Sequence, residues 1–172
     1  GCSIPSGNTD VDGDGTGAFQ ISATCVITVA DAGDLDYENA VNTFTLTLLA
    51  SDADDSDVET VAITVTDVND QTPTYSSSDT TPNVDEGDTA VETVAITDTD
   101  TGDVNACTRA GADAALFTCT VSATQYVLAF AAGENYEDPD DANDDNDYIV
   151  TITIDDGVNT GATISYVVTV DN

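Results

Sequence analysis

The chain has 172 residues, of which 34 are Asp or Glu and only one is Lys or Arg, and its formal net charge is −33. With no His and a single basic side chain, it lacks the groups that acid–base catalysis, Schiff-base chemistry and phosphate binding need. The composition therefore argues against an enzyme and against nucleic acid or anionic membranes as partners. No apolar run is long enough to insert into and span a membrane.

The hydrophobic fraction of 40% distinguishes the chain from a disordered acidic tail. Folding gathers the carboxylates onto a small surface, where their repulsion opposes compaction unless cations neutralise them. Because oxygen ligands are in excess and imidazole is absent, the sequence favours a hard metal ion, Ca²⁺ first and Mg²⁺ second. The sequence begins at Gly1 without an initiator Met, which indicates a mature chain or an excised segment.

Alternating apolar and polar residues predict strands throughout the chain and no long helix. The predicted strands are residues 20–29, 43–49, 59–66, 90–97, 117–129, 148–154 and 162–170. Clusters of Asp, Asn and Gly separate them. The predicted fold class is therefore all-β, with strands about as frequent as in a sandwich.

The four cysteines favour two disulfides and an oxidising compartment. Of the three connectivities, the pair Cys107 and Cys119 is the most local, which leaves Cys2 with Cys25. The alternative is four free, buried thiols. A zinc site is disfavoured because the chain has no Cys-x₂-Cys pair.

An internal repeat emerges when the two halves of the chain are aligned. Residues 35–38, 44–52 and 61–70 recur in order and character as residues 134–137, 148–157 and 164–172. Pro73 follows the last strand of the first half, and a proline cannot continue a strand ladder. The sequence thus predicts two domains, residues 1–70 and residues 71–172.

These elements resemble the cadherin repeat of extracellular adhesion proteins and their microbial relatives. Asp36-Tyr37-Glu38 matches the family's Asp-x-Glu, and Asp98-Thr99-Asp100 matches its Asp-x-Asp. Asp67-Val68-Asn69-Asp70, with Pro73 and Tyr75, matches its interdomain linker. Asp52 and Asp155 stand for the acidic residue after the penultimate strand, and Glu86 stands for the early glutamate. The resemblance implies two tandem Ig-like, cadherin-like β-sandwiches, with Ca²⁺ bound between successive domains by carboxylates from both.

The resemblance also implies three groups of calcium ligands. At the internal junction they are Asp36, Glu38, Asp67, Asn69, Asp70, Asp98, Asp100 and Asp155. Near the start of the chain they are Asp10, Asp12 and Asp52, and near its end they are Glu86, Glu137 and Asp171. The spacing is chemically reasonable, because alternate residues of an extended segment can direct their oxygens toward one point.

The first half has nine residues before Asp10, whereas the second has residues 71–97 before its Asp-x-Asp. The first domain is therefore expected to lack its initial strands, which would expose unpaired backbone and an apolar groove. Either the chain is cut from a longer tandem array, or a neighbouring subunit donates the missing strand and the chain forms a head-to-tail homo-polymer.

The expected function is an extracellular or cell-surface calcium-binding structural protein that assembles into a filament or stalk. The alternative is an adhesion module of a larger surface protein that binds another protein or a glycan. A third interpretation is a salt-adapted acidic protein with no specific metal.

Three further motifs bear on these interpretations. The segment Asp10-Val11-Asp12-Gly13-Asp14-Gly15 matches the start of an EF-hand loop, but the required Glu at position twelve is Ile21, so only a local calcium loop remains open. The acidic run over residues 137–147 is interpreted as a solvated loop. Residues 72–81 resemble an O-glycosylated stretch, and the chain has no Asn-x-Ser/Thr sequon.

Overall fold

The computed structural model describes residues 1–77, 79–100 and 105–172. The chain divides into two compact units, Gly1–Val68 and Asn69–Asn172, called here the first and second unit. The regular structure of the described residues consists of strands and two short 3-10 helices, which confirms the predicted all-β class. No helix in this part of the chain is long and apolar enough to cross a membrane. Ser78, in the predicted glycosylated stretch, lies outside the described residues.

The first unit has two small sheets. Its strands are β1 (Cys2–Ser6), β2 (Phe19–Ile21), β3 (Ile27–Val29), β4 (Thr43–Ser51) and β5 (Ser56–Thr64). Antiparallel pairing joins β1, β4 and β5 in that order, while β2 and β3 form a hairpin. The buried apolar side chains of its core are Ala18, Phe19, Phe44 and Leu46. The two phenylalanine rings meet edge to face with centroids 5.2 Å apart, so one aromatic pair dominates this core.

The second unit is a sandwich of two four-stranded sheets. Its strands are β6 (Thr74–Tyr75), β7 (Asn83–Asp85), β8 (Ala90–Thr97), β9 (Ala106–Ala110), β10 (Phe117–Val121), β11 (Gln125–Phe130), β12 (Asp147–Asp155) and β13 (Thr160–Asp171). One sheet has the order β10-β11-β8-β6 and the other β7-β13-β12-β9. Fourteen buried apolar residues from both sheets form the core, far more than in the first unit.

Two buried tyrosines link the facing sheets of the second unit. The hydroxyl groups of Tyr126 and Tyr166 lie 2.6 Å apart, and both side chains are fully buried. Burial raises the pKa of both phenols above the usual range, so they stay neutral and hydrogen-bonded. Ser77 and Glu92 also interact with the hydroxyl of Tyr166 and influence its pKa. Among the described residues, the hydrogen-bond partner of the Tyr126 hydroxyl is Tyr166.

We expect Tyr166→Phe to destabilise the second unit by about 1–3 kcal/mol, because it leaves the buried hydroxyl of Tyr126 without a partner. The matched variant Tyr126→Phe should cost less, since the polar side chains of Ser77 and Glu92 still interact with the hydroxyl of Tyr166. Denaturant unfolding of both variants measures the difference. Equal costs would show that the hydroxyl pair is not the origin of the effect.

The two units share a strand arrangement, which identifies corresponding strands. In the first unit β4 lies between β1 and β5, and in the second β12 lies between β9 and β13. The registers agree as well, because Cys2 pairs with Ala50 as Cys107 pairs with Ile154. Strand β1 therefore corresponds to β9, and residues 1–68 contain no counterpart of β6, β7 and β8.

This correspondence shows that the Asp-x-Asp segment at Asp10 is not equivalent to the one at Asp98. Asp98 and Asp100 precede β9, whereas Asp10 and Asp12 follow β1, which is the counterpart of β9. The two Asp-x-Asp segments thus occupy different positions in their repeats, although from the sequence they were expected to be equivalent. The first unit lacks the segment that carries this motif in the second.

Two of the predicted strands are hairpins in the structure. Residues 20–29 cover β2 and β3, and residues 117–129 cover β10 and most of β11. The turns contain Ser22-Ala23-Thr24 and Ser122-Ala123-Thr124, with no Gly, Pro or Asn to mark them. Each serine hydroxyl accepts a backbone hydrogen bond across its turn, from Val26 at 3.1 Å and from Gln125 at 3.2 Å. Side-chain hydrogen bonds of this kind replace the usual turn residues.

Both disulfides are formed, and no cysteine is free. Cys2 is bonded to Cys25 and Cys107 to Cys119, with Cα atoms 5.3 and 6.1 Å apart. The prediction of two disulfides with this connectivity is confirmed. Disulfides form and persist in oxidising compartments, so the two bonds indicate that the chain folds in such a compartment.

Candidate metal centres

An acidic cluster lies where the second unit begins. We call Asn69, Asp98, Asp100 and Asp156 the linker cluster. The carboxylate of Asp100 accepts a hydrogen bond of 2.8 Å from the backbone of Gln71. The side-chain amide of Asn159 donates to the side-chain oxygen of Asn69 at 2.8 Å and to the carbonyl of Gln71 at 2.9 Å. These bonds fix residues 69–71 against the two loops that carry the aspartates.

The electrostatics of the linker cluster favour a cation. Desolvation is the largest cause of the raised pKa of Asp98, and the carboxylates of Asp100 and Asp156 raise it further, against opposing hydrogen bonds from the backbones of Asp100 and Thr99. Burial acts to raise the pKa of Asp156, but hydrogen bonds from Asn159, Val158 and Asn69 outweigh burial and lower it. Oδ2 of Asp98 and Oδ1 of Asp100 are buried and accept no hydrogen bond. Hard oxygen donors with vacant lone pairs are the ligands that Ca²⁺ uses.

Asp156, rather than the predicted Asp155, belongs to this cluster. The carboxylate of Asp155 holds the β12–β13 turn, accepting hydrogen bonds from the backbone of Gly157 at 2.8 Å and the hydroxyl of Thr160 at 2.5 Å. Asp156 is 6% exposed and follows the alternation that buries Ile154. That period of two, continued beyond the strand, is the signal that would have selected Asp156 from the sequence.

The other predicted junction residues have interactions within their own units. In the first unit, carboxylate oxygens of Glu38 and Asp67 lie within 4.8 Å of each other. The backbone of Glu38 donates to the carboxylate of Asp36 at 3.1 Å, so the Asp-x-Glu segment has a tight turn geometry. In the second unit, the side chain of Gln71 donates to the carboxylate of Asp70 at 2.8 Å.

The structure does not bring Asp52 together with Asp10 and Asp12. Asp10 and Asp12 lie in the β1–β2 loop, beside the buried carboxylate of Asp34. Asp52 lies in the β4–β5 turn, where backbone hydrogen bonds from Asp54 and Asp55 lower its pKa. Because β1 is antiparallel to β4, the chain leaves β1 at the end of the sheet where β4 begins, whereas Asp52 follows the other end.

Glu86, Glu137 and Asp171 lie at one end of the second unit. Strand β7 runs parallel to β13, and the backbone of Glu86 donates to the carbonyl of Asp171 at 2.8 Å. Glu86 also accepts a weak hydrogen bond of 3.4 Å from the backbone of Tyr136, next to Glu137. The carboxylate of Glu137 accepts one of 2.8 Å from the side chain of Asn172. Backbone and amide groups, rather than direct carboxylate contacts, connect the three acids.

The described chain resembles solved structures but not characterised sequences. No family model matches it, and no curated protein sequence matches it. The human desmocollin-1 ectodomain aligns with 92% of this chain at 17% identity and a TM-score of 0.71. A structure described as a protocadherin gammaB7 EC3-6 cis-dimer aligns with 90% at 24% identity and 0.66, and human protocadherin-24 EC1-2 with 100% at 18% and 0.68.

The aligned region is 33% of the desmocollin chain, 37% of the gammaB7 chain and 80% of the protocadherin-24 chain. The chain therefore spans about a third of the length of the first two solved chains, which are described as an ectodomain and as EC3-6. These alignments show that the chain has a cadherin-like repeat fold over nearly its whole length.

Proposed function

We propose that this chain is an extracellular, calcium-binding structural protein whose copies associate head to tail into a filament or stalk. The observation that carries the proposal is the open architecture of the first unit, which a strand from a neighbouring copy would complete. The cadherin-like fold and the two disulfides support an extracellular adhesive or structural setting rather than an enzymatic one.

A comparison with the second unit shows which strand edges of the first unit are open. There β13 is flanked by β12 and β7, and β11 by β10 and β8. In the described structure, the corresponding strands β5 and β3 pair on one side only, with β4 and β2. Val58 on β5 and Val29 on β3 are 56% and 50% exposed. Unpaired edges with exposed apolar side chains are suited to strand addition from another chain.

A groove of about 160 Å³ lies in the first unit, lined by the apolar side chains Ile21, Leu48 and Leu49 and by Asp57 and Glu59 of β5. In the second unit, β7 and β8 supply the buried side chains Val84, Val94 and Ile96 to the core. A donated strand with alternating apolar residues would fill the groove in the same way and extend the sheet by backbone hydrogen bonds.

Calcium is the second part of the proposal. Asp36, Glu38 and Asp67 of the first unit would supply ligands, together with Asn69, Asp70, Asp98, Asp100 and either Asp155 or Asp156 of the second. Glu86, Glu137 and Asp171 would contribute at the end of the second unit, and Asp52 at the β4–β5 turn of the first. The support is the donor chemistry, since these are hard oxygens and one carboxylate oxygen each of Asp98 and Asp100 is buried without a hydrogen bond. Sugars on residues 72–81 would suit the same extracellular setting.

Electron microscopy of the purified chain in millimolar Ca²⁺, and again after chelation, tests the assembly. We expect filaments or short linear oligomers with Ca²⁺ and their loss on chelation. Val58→Lys should prevent assembly, because a charged side chain on an edge strand opposes strand addition. Ile149→Lys is the matched control, because Ile149 is 44% exposed on β12, which has a neighbour on each side.

Monodisperse monomers under both conditions would contradict self-assembly. That result would favour the alternative function, an adhesion module of a larger surface protein that recognises another protein or a glycan. Equal assembly of the two lysine variants would retain self-association but overturn the open edge of β5 as its cause.

A further inference from the structure

The first unit contains a group of carboxylates that is separate from the junction ligands. We call Asp10, Asp12, Asp14, Asp31 and Asp34 the loop cluster. Asp10, Asp12 and Asp14 alternate along the β1–β2 loop, and Asp31 and Asp34 come from the segment after β3. Oxygens of Asp10, Asp12 and Asp34 lie within 4.8 Å of one another, and so do oxygens of Asp12, Asp14 and Asp31.

Asp34 is the decisive residue of the loop cluster. Its side chain is 0% exposed, and Oδ1 accepts hydrogen bonds from the backbones of Val11 at 2.5 Å and Asp12 at 3.1 Å. The other oxygen, Oδ2, is buried and accepts no hydrogen bond. A fully buried carboxylate with an unsatisfied oxygen is costly unless a cation or proton is bound to it.

The first unit offers no basic side chain to the loop cluster. Residues 1–68 contain no Lys, Arg or His, and the amino group of Gly1 donates to the carbonyl of Ser51 at the end of β4. Gly33 lets the two segments approach closely, because a Cβ there would lie 2.6 Å from Oδ2 of Asp12 and 3.3 Å from Oδ1 of Asp31. Five carboxylates in two overlapping groups, without a basic side chain in their unit, favour an external cation.

We propose that the loop cluster is a calcium site internal to the first repeat, with Asp10, Asp12 and Asp34 as its primary ligands. Asp14 and Asp31 extend it toward solvent. The site differs from an EF-hand, because Ile21 at position twelve of the loop is part of β2 and Asp34 supplies the distant carboxylate instead. Binding therefore joins the β1–β2 loop to the segment after β3, and it requires no neighbouring repeat.

Calcium is favoured over magnesium by the composition of the site. Several carboxylates that converge from two segments can surround an ion with six to eight oxygens, which suits the flexible coordination of Ca²⁺. Mg²⁺ demands a near-ideal octahedron and keeps several of its waters. We therefore expect Mg²⁺ to compete weakly at this site.

Calorimetric titration of the whole disulfide-bonded chain with CaCl₂ tests the inference. Asp34→Asn retains an oxygen for the amides of Val11 and Asp12 but removes the charge, and it should bind one ion fewer than the parent chain at millimolar Ca²⁺. Asp12→Asn, at an exposed position, should reduce binding in the same way and guards against misfolding of the first variant. Asp57→Asn is the charge-matched control, because Asp57 is exposed on β5 and bonds only the backbone of Val58 in the described structure.

Amide hydrogen exchange gives a second readout. Calcium should slow exchange at Val11 and Asp12 in the parent chain and in Asp57→Asn, but not in Asp34→Asn. Unchanged ion number and unchanged protection in both cluster variants would overturn the inference. Asp100→Asn separates it from the proposed function: loss of an ion there with full binding in Asp34→Asn would support the linker cluster alone, and the reverse would support the loop cluster alone.

Discussion

Chelation of calcium is expected to lower the melting temperature of the first unit by about 10–20 °C, and that of the second unit by less. An ion present at 100 times its dissociation constant stabilises the folded state by about 2.7 kcal/mol. For a domain of this size, each kcal/mol shifts the melting temperature by about 4–8 °C. Calorimetry of the chain in millimolar Ca²⁺ and in excess chelator measures both transitions.

The first unit should be the more sensitive because little else stabilises it. Its core contains four buried apolar residues, whereas the core of the second unit has fourteen. The loop cluster adds electrostatic repulsion that raises the pKa of Asp12: a hydrogen bond from Asp14 lowers it, but desolvation and the carboxylates of Asp14, Asp31 and Asp34 together outweigh that bond. Bound calcium removes this repulsion and ties two loops together.

The control for this prediction is the identity of the cation. Na⁺ or K⁺ at matched ionic strength screens all carboxylates but is not held by several ligands at once. Either ion should therefore restore only a small part of the melting temperature that is lost on chelation. Full recovery by Na⁺ would contradict specific binding and would favour the salt-adapted interpretation of the acidic composition. Mg²⁺ should lie between the two, because it dehydrates reluctantly.

The alternation of apolar and polar residues in the sequence predicted the long strands. The alternation in residues 148–154 gives β12, in which Tyr148, Val150, Ile152 and Ile154 are buried. It could not separate β2 from β3, because the turn is formed by the hydroxyl of Ser22 and contains no glycine or proline. Short strands such as β6, with the residues Thr74–Tyr75, carry too few positions for a pattern.

Site residues were predictable where a motif is local and missed where the ligand is distant. The Asp-x-Asp segments were visible in the sequence, but Asp34 is 22 to 24 residues away from its partners Asp12 and Asp10. Nothing in the surrounding sequence indicates that its carboxylate is buried. Only the fold, which brings the segment after β3 against the β1–β2 loop, shows that Asp34 completes the cluster.

The substitution Phe44→Ala is expected to unfold the first unit at room temperature when calcium is absent, while the second unit stays folded. Removal of a buried phenylalanine costs about 3–5 kcal/mol. A unit of this length has a total stability of about 3–10 kcal/mol, and a core with one aromatic pair belongs at the low end. The ring of Phe19 would also lose its edge-to-face partner.

Two observations make this result diagnostic. Phe130→Ala is the matched variant in the second unit, where Phe130 stacks on Phe117 at 4.6 Å and meets Tyr148 at 5.1 Å within a much larger core. Phe130→Ala should lower only the melting temperature of the second unit and leave that unit folded at room temperature. Calcium should restore part of the stability of the first unit in Phe44→Ala, because a ligand that binds only the folded state offsets the lost packing. A single transition that both substitutions shift equally would mean that the two units unfold together, and the smaller core would then not set the stability of the first.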